Sequence, residues 1–249
     1  MINYIILGIV QGLTEFFPVS SSGHLVILEK IFGLAQNGVA ISVILHLGTT
    51  LALIIFFFRD IVNLLRNKKM FFYIILATVI TGVIGVSAKD FFESLFNYPK
   101  YVAFALIFTG SVLLFTRRFM HAGPRQLNIR DAIIFGLAQG LAIVPGISRS
   151  GITVSTLLFR KAGWEESFRF SFLASIPVIL GASLLETRHI QAIGKSEFIN
   201  LGAGFIFSFI TGILTLYLLK EILRKAKFYY FGYYCFAVAL ITLVFLGGG

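Results

Sequence analysis

Residues 8–24, GIVQGLTEFFPVSSSGH, return in altered form as residues 136–152, GLAQGLAIVPGISRSGI. Seven positions are identical at a constant offset of 128 residues. An internal repeat of this length in a chain of 249 residues predicts two halves of similar design.

The two copies differ in their ionisable residues. The first copy carries Glu15 and His24, and isoleucine replaces both of them in the second copy. The second copy carries Arg149 at the position where the first copy has Ser21. A site that needs an acid, an imidazole and a guanidinium group must therefore combine both copies.

Composition indicates an integral membrane protein. Hydrophobic residues make up 57% of the chain and charged residues 13%, whereas soluble domains average about 45–50% and about 25%. A helix needs about 20 apolar residues to cross the hydrocarbon core, and six segments qualify, the third only with its flanks. The last three begin about 128 residues after the first three. The segments lie at about 40–58, 70–88, 101–116, 168–186, 198–219 and 228–246.

Basic residues decide the predicted orientation. Of the 21 lysines and arginines, 15 lie in four connecting segments, which the positive-inside rule assigns to the cytoplasm. Because these residues alternate with long apolar segments, the net charge of +10 is explained by basic loops at the anionic membrane surface. No nucleic-acid partner is expected. The charge-balanced loops 89–100 and 186–197 are expected on the outer side. The four basic segments are 59–69, 117–131, 158–169 and 220–227.

This orientation has a consequence for the repeated motifs. Loops 117–131 and 158–169 share a side, so the segment between them must enter the membrane and leave by the same face. Each of the two arms has about 12 residues, and at 1.5 Å per residue it extends roughly 18 Å, which is enough to reach the bilayer midplane. We therefore predict an all-α integral membrane protein with an inverted-topology repeat, each half a re-entrant helical hairpin plus three transmembrane helices. The single membrane domain, 1–249, divides into halves at about 1–118 and 129–249.

Glu15 and Arg149 are charged residues within the apolar arms of the predicted hairpins, and the repeat places both near a hairpin tip. An ionisable group at membrane depth costs roughly 2.5–3.5 kcal/mol on insertion scales and is by default a functional candidate. A structural ion pair that locks the hairpins together is the alternative interpretation. It leaves the surrounding serines and His24 unexplained.

The second tip has the residue types of a phosphate site. Gly146 lets the backbone approach a ligand closely, and N–H groups at a turn into a helix favour anions. Arg149 offers a planar fork suited to phosphate. Hydroxyl donors come from Ser148, Ser150 and Thr153.

The first tip supplies the complementary groups. Gln11 and Glu15 are four residues apart and share a helix face, so Glu15 can act as a general base or bind Mg²⁺ or Ca²⁺. His24 can donate a proton to a leaving group or activate a serine. The turn between them contains Ser20, Ser21 and Ser22, and the weaker candidates are His46, Gln139 and Glu29.

At these residues the chain resembles the undecaprenyl-diphosphate phosphatases, the bacitracin-resistance family of bacterial membrane proteins. One signature, Glu/Gln-x-x-x-Glu leading into Pro-x-Ser-Ser-x-Gly-His, is matched by Gln11–Glu15 and Pro18–His24. The other, Pro-Gly-x-Ser-Arg-Ser-x-x-Thr, is matched by Pro145–Thr153 without a gap. The resemblance covers nearly the full length. It implies hydrolysis of the lipid carrier's diphosphate to the monophosphate and inorganic phosphate, with a divalent cation, at the outer leaflet.

The resemblance also implies roles for individual residues. Many family members have glutamate where this chain has Gln11, so we expect Gln11 to bind metal or substrate weakly and not to act as a base. The expected catalytic residues are Glu15, Ser21, His24 and Arg149. The expected substrate ligands are Ser20, Ser22, Gly146, Ser148, Ser150 and Thr153, and the expected ligands of Mg²⁺ or Ca²⁺ are Glu15 and Gln11.

Two functions stay open at this point. In a diphosphatase, attack on phosphorus comes either from a serine or from water. In a transporter or flippase of a lipid phosphate, the same inverted-repeat site binds the lipid phosphate without hydrolysing it. The expected location is the bacterial plasma (inner) membrane with a site facing the extracytoplasmic side. The expected partners are a polyprenyl diphosphate and membrane lipids, and a homodimer is one possible assembly.

Overall fold

The described part of the chain is built from helices, as seen in a computed structural model. The structure describes residues 1–34, 38–88, 91–92, 95, 99–121, 123, 125–186 and 195–246. The helices are α1 (Ile2–Phe16), α2 (Ser21–Ile31), α3 (Gly38–Phe56), α4 (Phe58–Arg66), α5 (Lys68–Ser87), α6 (Pro99–Thr116), α7 (Ile129–Leu141), α8 (Arg149–Phe159), α9 (Trp164–Leu185), α10 (Lys195–Arg224) and α11 (Phe231–Leu246).

Each of the six apolar segments forms a helix. Within the described residues, four helices are long and apolar enough to cross a membrane, namely α3, α5, α9 and α10. The corresponding shorter apolar helices are α6 and α11. The chain is therefore a multi-pass membrane protein with an all-α fold, as predicted. The expected outer loops 89–100 and 186–197 lie mostly outside the described residues.

Two hairpins of short helices carry the repeated motifs. In the first, α1 and α2 have 15 and 11 residues, and in the second α7 and α8 have 13 and 11. These lengths agree with the predicted arms of about 12 residues. One detail differs, because α2 already begins at Ser21, so that Ser21 and Ser22 belong to its first turn and only Ser20 stands before it.

Each of the two hairpins packs against a long helix from the other half of the chain. Helix α1 packs on α10 of the other half, and α7 packs on α5, while α6 and α11 pack on each other. Glycines permit the close approach: a Cβ added at Gly136 would lie 3.0 Å from the carbonyl oxygen of Ala77. A Cβ at Gly12 would lie 2.8 Å from the backbone nitrogen of Gly212. Each hairpin is thus held by a long helix from the opposite half, which brings the two tips together.

A buried carboxylate fixes the base of the second hairpin. Asp131, in the first turn of α7, closes a capping box with Asn128. It also accepts from Arg125 Nη1 at 2.9 Å and from Arg160 Nε at 2.7 Å. Burial favours the protonated acid, but these bonds and the one from the Asn128 backbone hold the pKa of Asp131 below its usual value. The start of α7 and the end of α8 are therefore tied together.

Helix α4 was not predicted. Its residues fall in the segment expected to be a basic loop, and none of them is buried. Phe58, Val62 and Leu65 follow helical spacing and form one exposed apolar side, with polar residues on the other. A search for long apolar runs does not find such a helix, because it is nine residues long and three of them are charged.

Candidate active site

Glu15 is the centre at which the two tips meet. It lies in the last turn of α1, and its residue is only 6% exposed. Arg149, the first residue of α8, donates from Nη2 to Glu15 Oε1. The other carboxylate oxygen, Oε2, accepts from Ser21 Oγ at 2.6 Å and from Gln11 Nε2 at 3.1 Å. His46 Nε2 stands 3.3 Å from the same oxygen.

This cluster draws on both halves of the chain. Three of the groups around Glu15 come from α1, α2 and α3, and the guanidinium comes from the second hairpin. A buried carboxylate without a partner is strongly unfavourable, so the ion pair and the surrounding donors are what keep it in place. The predicted convergence of Glu15 and Arg149 is present in the structure.

The second tip is held by its own hydroxyl groups. Ser148 is the N-cap of α8 and accepts from the backbone N–H of Gly151 at 3.2 Å. Ser150 Oγ donates to the carbonyl oxygen of Phe17 at 3.2 Å, which links the two tips directly. Thr153 Oγ1 donates to the Arg149 carbonyl at 2.7 Å and lies 2.6 Å from Ser171 Oγ. The three predicted hydroxyl residues thus lie around Arg149.

The backbone of the second tip needs glycine at one position. Gly146 has φ +94°, and a Cβ there would lie 2.5 Å from the Val102 carbonyl oxygen. Thr109 fastens the turn, because its Oγ1 donates to the Gly146 carbonyl and accepts from the Ser148 N–H, both at 3.2 Å. The Ser148 N–H is therefore engaged within the protein. In the first turn of α8 the Gly151 N–H is bonded to Ser148 Oγ, so the N–H groups of Arg149 and Ser150 are the ones suited to an anion.

His24 lies on the same tip as Glu15 but makes different contacts. Its Nδ1 is 2.8 Å from the Ser20 carbonyl oxygen, and its Nε2 is 2.8 Å from the Tyr234 hydroxyl on α11. Since a carbonyl oxygen only accepts, Nδ1 carries the hydrogen, and Nε2 of the neutral ring accepts from Tyr234. The ring is bonded to Ser20 and Tyr234 rather than to Glu15, Ser21 or Arg149. Ser20 Oγ lies 3.3 Å from Ser22 Oγ.

The structure adds residues that sequence reasoning missed or ranked low. His46 had been a weaker candidate, although an imidazole within a predicted membrane segment was a usable signal. Tyr234 gave no local signal, since it is one of nine tyrosines in an apolar chain. Beside the ion pair, a small crevice is lined by Glu15, Phe16, Arg149, Ser150, Thr153, Ser171, Phe172 and Ser175.

The expected ligands are suited to a hard cation. Gln11 Oε1 is buried and has no hydrogen-bond partner among the described residues, so an amide oxygen is available next to the Glu15 carboxylate. No group of three or more His, Cys, Asp or Glu side chains stands together in the described part of the chain. Mg²⁺ is commonly bound by one or two carboxylates together with substrate phosphates and water, and this donor set fits that mode.

Comparison with known proteins identifies the family of this chain. The family model for bacitracin resistance protein BacA matches residues 4–241. An undecaprenyl-diphosphatase 1 of Shouchella clausii is 38% identical, with 98% of this chain and 96% of the relative covered. Undecaprenyl-diphosphatases of Carboxydothermus hydrogenoformans and Thermotoga petrophila are 41% and 40% identical, covering 98% and 96% of this chain and 97% and 98% of the relatives. The chain belongs to the bacitracin resistance protein BacA family.

Proposed function

We propose that this protein is an undecaprenyl-diphosphate phosphatase, which hydrolyses the lipid diphosphate to the monophosphate and inorganic phosphate and so recycles the cell-wall lipid carrier. The names of its full-length relatives support the reaction. The observation that carries the proposal for the site is the convergence of Glu15, Ser21 and Arg149 from the two halves.

Arg149 binds the terminal phosphate. In the structure its guanidinium is neutralised by Glu15, and a phosphate would compete for the same donor. Hydroxyl groups of Ser148, Ser150 and Thr153, together with first-turn N–H groups of α8, surround the anion. Because the Arg149 guanidinium and the first-turn N–H groups are held in place before substrate arrives, they also stabilise the charge that develops during phosphoryl transfer. The Ser150 and Thr153 hydroxyls first release the carbonyl oxygens of Phe17 and Arg149 in order to donate to the anion.

Ser21 is the proposed nucleophile. Its Oγ already donates to Glu15 Oε2 at 2.6 Å, so Glu15 can take the proton as the oxygen attacks phosphorus. The new bond joins Ser21 Oγ to the terminal phosphorus, and the bridging P–O bond breaks to release the lipid monophosphate. Water then hydrolyses the phosphoserine, returning the serine and inorganic phosphate. In the alternative mechanism, Ser21 positions a water molecule that attacks the terminal phosphorus directly.

His24 exchanges protons at the same tip. Its Nδ1 hydrogen is held by the Ser20 carbonyl, so Nε2 is the atom that can accept or return a proton. The proposed role is to accept a proton at Nε2 from the water that attacks the phosphoserine, while Glu15 returns its proton to the departing Ser21 Oγ. The Ser20 and Ser22 hydroxyls lie beside this ring as phosphate ligands.

A divalent cation, Mg²⁺ or Ca²⁺, would be held by Glu15 and Gln11. When bound, it would neutralise charge on the two phosphates. Gln11 contributes a carbonyl oxygen without charge, so this chain offers one negative charge fewer than relatives with glutamate at that position. We expect weaker cation binding as a result.

We propose that residues 1–118 and 129–249 form an inverted repeat within one membrane domain and that α1–α2 and α7–α8 are re-entrant hairpins. Charge patterning then puts the N-terminal hairpin on the extracytoplasmic side of the bacterial plasma membrane. The site opens to that side. Irregular backbone at the two tips is tolerated there because each tip is enclosed by protein.

Phosphate release by purified protein in detergent tests the proposal, because no gradient exists there. Wild-type protein with Mg²⁺ or Ca²⁺ is expected to release phosphate from a polyprenyl diphosphate, and Glu15→Gln is expected to stop it. Lys225→Gln is the matched surface control and should keep full activity. Folded protein that binds the lipid but releases no phosphate with either cation would instead favour the transporter hypothesis.

A further inference from the structure

A second cavity, lined by both polar and apolar groups, lies at the opposite end of the second hairpin from its tip. It has a volume of about 380 Å³. Its walls come from the start of α5, from the segment before α7 and from the first turns of α9. Helix α7 is 13 residues long, so the cavity lies roughly 20 Å from the proposed active site. The lining residues are Asn67, Lys69, Met70, Tyr73, Arg125, Gln126, Leu127, Glu166 and Arg169.

The lining is positively charged, with three basic residues and one acid. Arg125 is already committed to the buried carboxylate of Asp131 and to the Arg160 carbonyl. Arg169 has only long contacts, 3.7 Å to Asp60 and 3.9 Å to Glu166. These two distances exceed those of a strong charge-assisted hydrogen bond, so the donors of Arg169 remain available to a better acceptor.

Lys69 is the second available cation. It makes no ion pair with any described residue, and its ammonium lies 5.9 Å from the centre of the Tyr73 ring. The aromatic ring holds the lysine at the cavity without neutralising it. Lys69 and Arg169 therefore face one cavity from two different helices, α5 and α9.

Helix α4 indicates the depth of this cavity in a membrane. Its apolar side is exposed, with Phe58 at 62% and Leu65 at 71%, because no described residue covers it. A short helix with one apolar and one charged side lies at the level of the lipid headgroups, with its apolar side toward the acyl chains. Asp60 of α4 contacts Arg169, and α5 begins directly after α4. The cavity thus opens at headgroup depth beside a lipid-facing helix.

We infer that this cavity binds the phosphate of an anionic phospholipid on the cytoplasmic side, with Lys69 and Arg169 as its ligands. Phosphate is the anion that matches the two cations, and the adjoining apolar side of α4 favours an acyl chain over free phosphate. The site is separate from the proposed catalytic centre. It anchors the cytoplasmic base of the second hairpin to the membrane.

The test uses the full-length protein in nanodiscs of phosphatidylcholine with increasing phosphatidylglycerol, and lipid retained by the protein is measured by native mass spectrometry. The variant is Lys69→Gln with Arg169→Gln. The matched control is Lys220→Gln with Lys225→Gln, which removes the same charge from exposed residues of another basic segment. A separate arm adds inorganic phosphate to protein in pure phosphatidylcholine.

We expect the double variant in the cavity to lose about tenfold in phosphatidylglycerol affinity, and the control less than about threefold, because hydrogen-bonded contacts exceed diffuse surface attraction. Equal losses in both variants would overturn the inference, and so would unchanged affinity in the cavity variant. Millimolar inorganic phosphate that displaces phosphatidylglycerol completely would assign the cavity to free phosphate and overturn the lipid ligand.

Folding of the variants is checked independently of lipid binding. Both double variants should melt within a few degrees of wild type in pure phosphatidylcholine, and only the wild type and the control should be stabilised by phosphatidylglycerol. A cavity variant that is still stabilised as much as wild type would also contradict the inference.

Discussion

The two hairpin tips occupy equivalent positions in the repeat but are built in different ways. The second tip is fixed by backbone contacts, with a glycine at φ +94° and an N-cap at Ser148. At the first tip a serine, Ser20, adopts φ +67°, and the side chains are bonded to one another around Glu15. In the proposed mechanism the second tip holds the anion, while the first carries the groups that move protons.

The same contrast holds for the paired glutamines. Gln11 and Gln139 are both buried, and each has a carbonyl oxygen without a hydrogen-bond partner among the described residues. The amide of Gln11 donates to Glu15, whereas that of Gln139 donates to the Thr81 hydroxyl. The two equivalent positions of the sequence repeat therefore differ, since one contacts the charged cluster and the other contacts a neighbouring helix.

Removing either charge of the central pair should have the largest effect. We expect Glu15→Gln and Arg149→Gln each to lower kcat by about 10²–10³-fold or more, because both contact the proposed reacting atoms. Phosphate release from a polyprenyl diphosphate is the measurement. The double variant should be little worse than the worse single one if the pair acts as a unit. Additive losses would show that the two groups act separately.

Substitution of the neighbouring residues Ser21 and Ser22 distinguishes the proposed nucleophile from a proposed phosphate ligand at the first tip. Ser21 donates to Glu15, and Ser22 contacts only Ser20 among the described hydroxyl groups. Ser21→Ala should reduce kcat by about 10²-fold and abolish any trapped phosphoenzyme, whereas Ser22→Ala should cost less than about tenfold. A phosphoenzyme that persists in Ser21→Ala would exclude Ser21 as the nucleophile.

The backbone of the tips can be tested by exchanging the residue types. Gly146→Ala should lower the free energy of unfolding by about 1–3 kcal/mol, since a side chain there is strained and meets the Val102 carbonyl. Ser20→Gly should change it by less than about 1 kcal/mol, because relief of strain opposes the added freedom of the unfolded chain. Thermal melting in detergent measures both. Similar losses in the two variants would mean that the tips are equally constrained.

Loss of the Tyr234 hydroxyl should have a smaller effect on kcat, and this effect should act through His24. Tyr234→Phe removes the donor to Nε2, and we expect about a tenfold loss of kcat with an altered pH profile. In a His24→Ala background the same change should cost little. Tyr233→Phe is the control on the same helix and should leave both quantities unchanged. A Tyr234→Phe enzyme with wild-type kcat and pH profile would remove the tyrosine from the mechanism.

Much of the candidate site could be predicted because charge is costly inside an apolar chain. Glu15 and Arg149 stand out in their segments, and the repeat places both at helix breaks. His46 and Tyr234 could not be ranked in this way. The contact between His24 and Tyr234 joins residues 210 positions apart, and such a contact depends on how helices pack.

The amino-acid sequence alone was sufficient to predict the helical membrane class, the six apolar segments, the repeat and the pairing of an acid with an arginine. Those features follow from local composition and from a fixed offset, which act without knowledge of the packing. Three-dimensional packing was needed to show that Glu15 accepts from Ser21, that α1 packs on α10, and that α4 is a helix beside a basic cavity. These depend on the distances between distant segments, and many arrangements of the same helices would satisfy the same hydropathy.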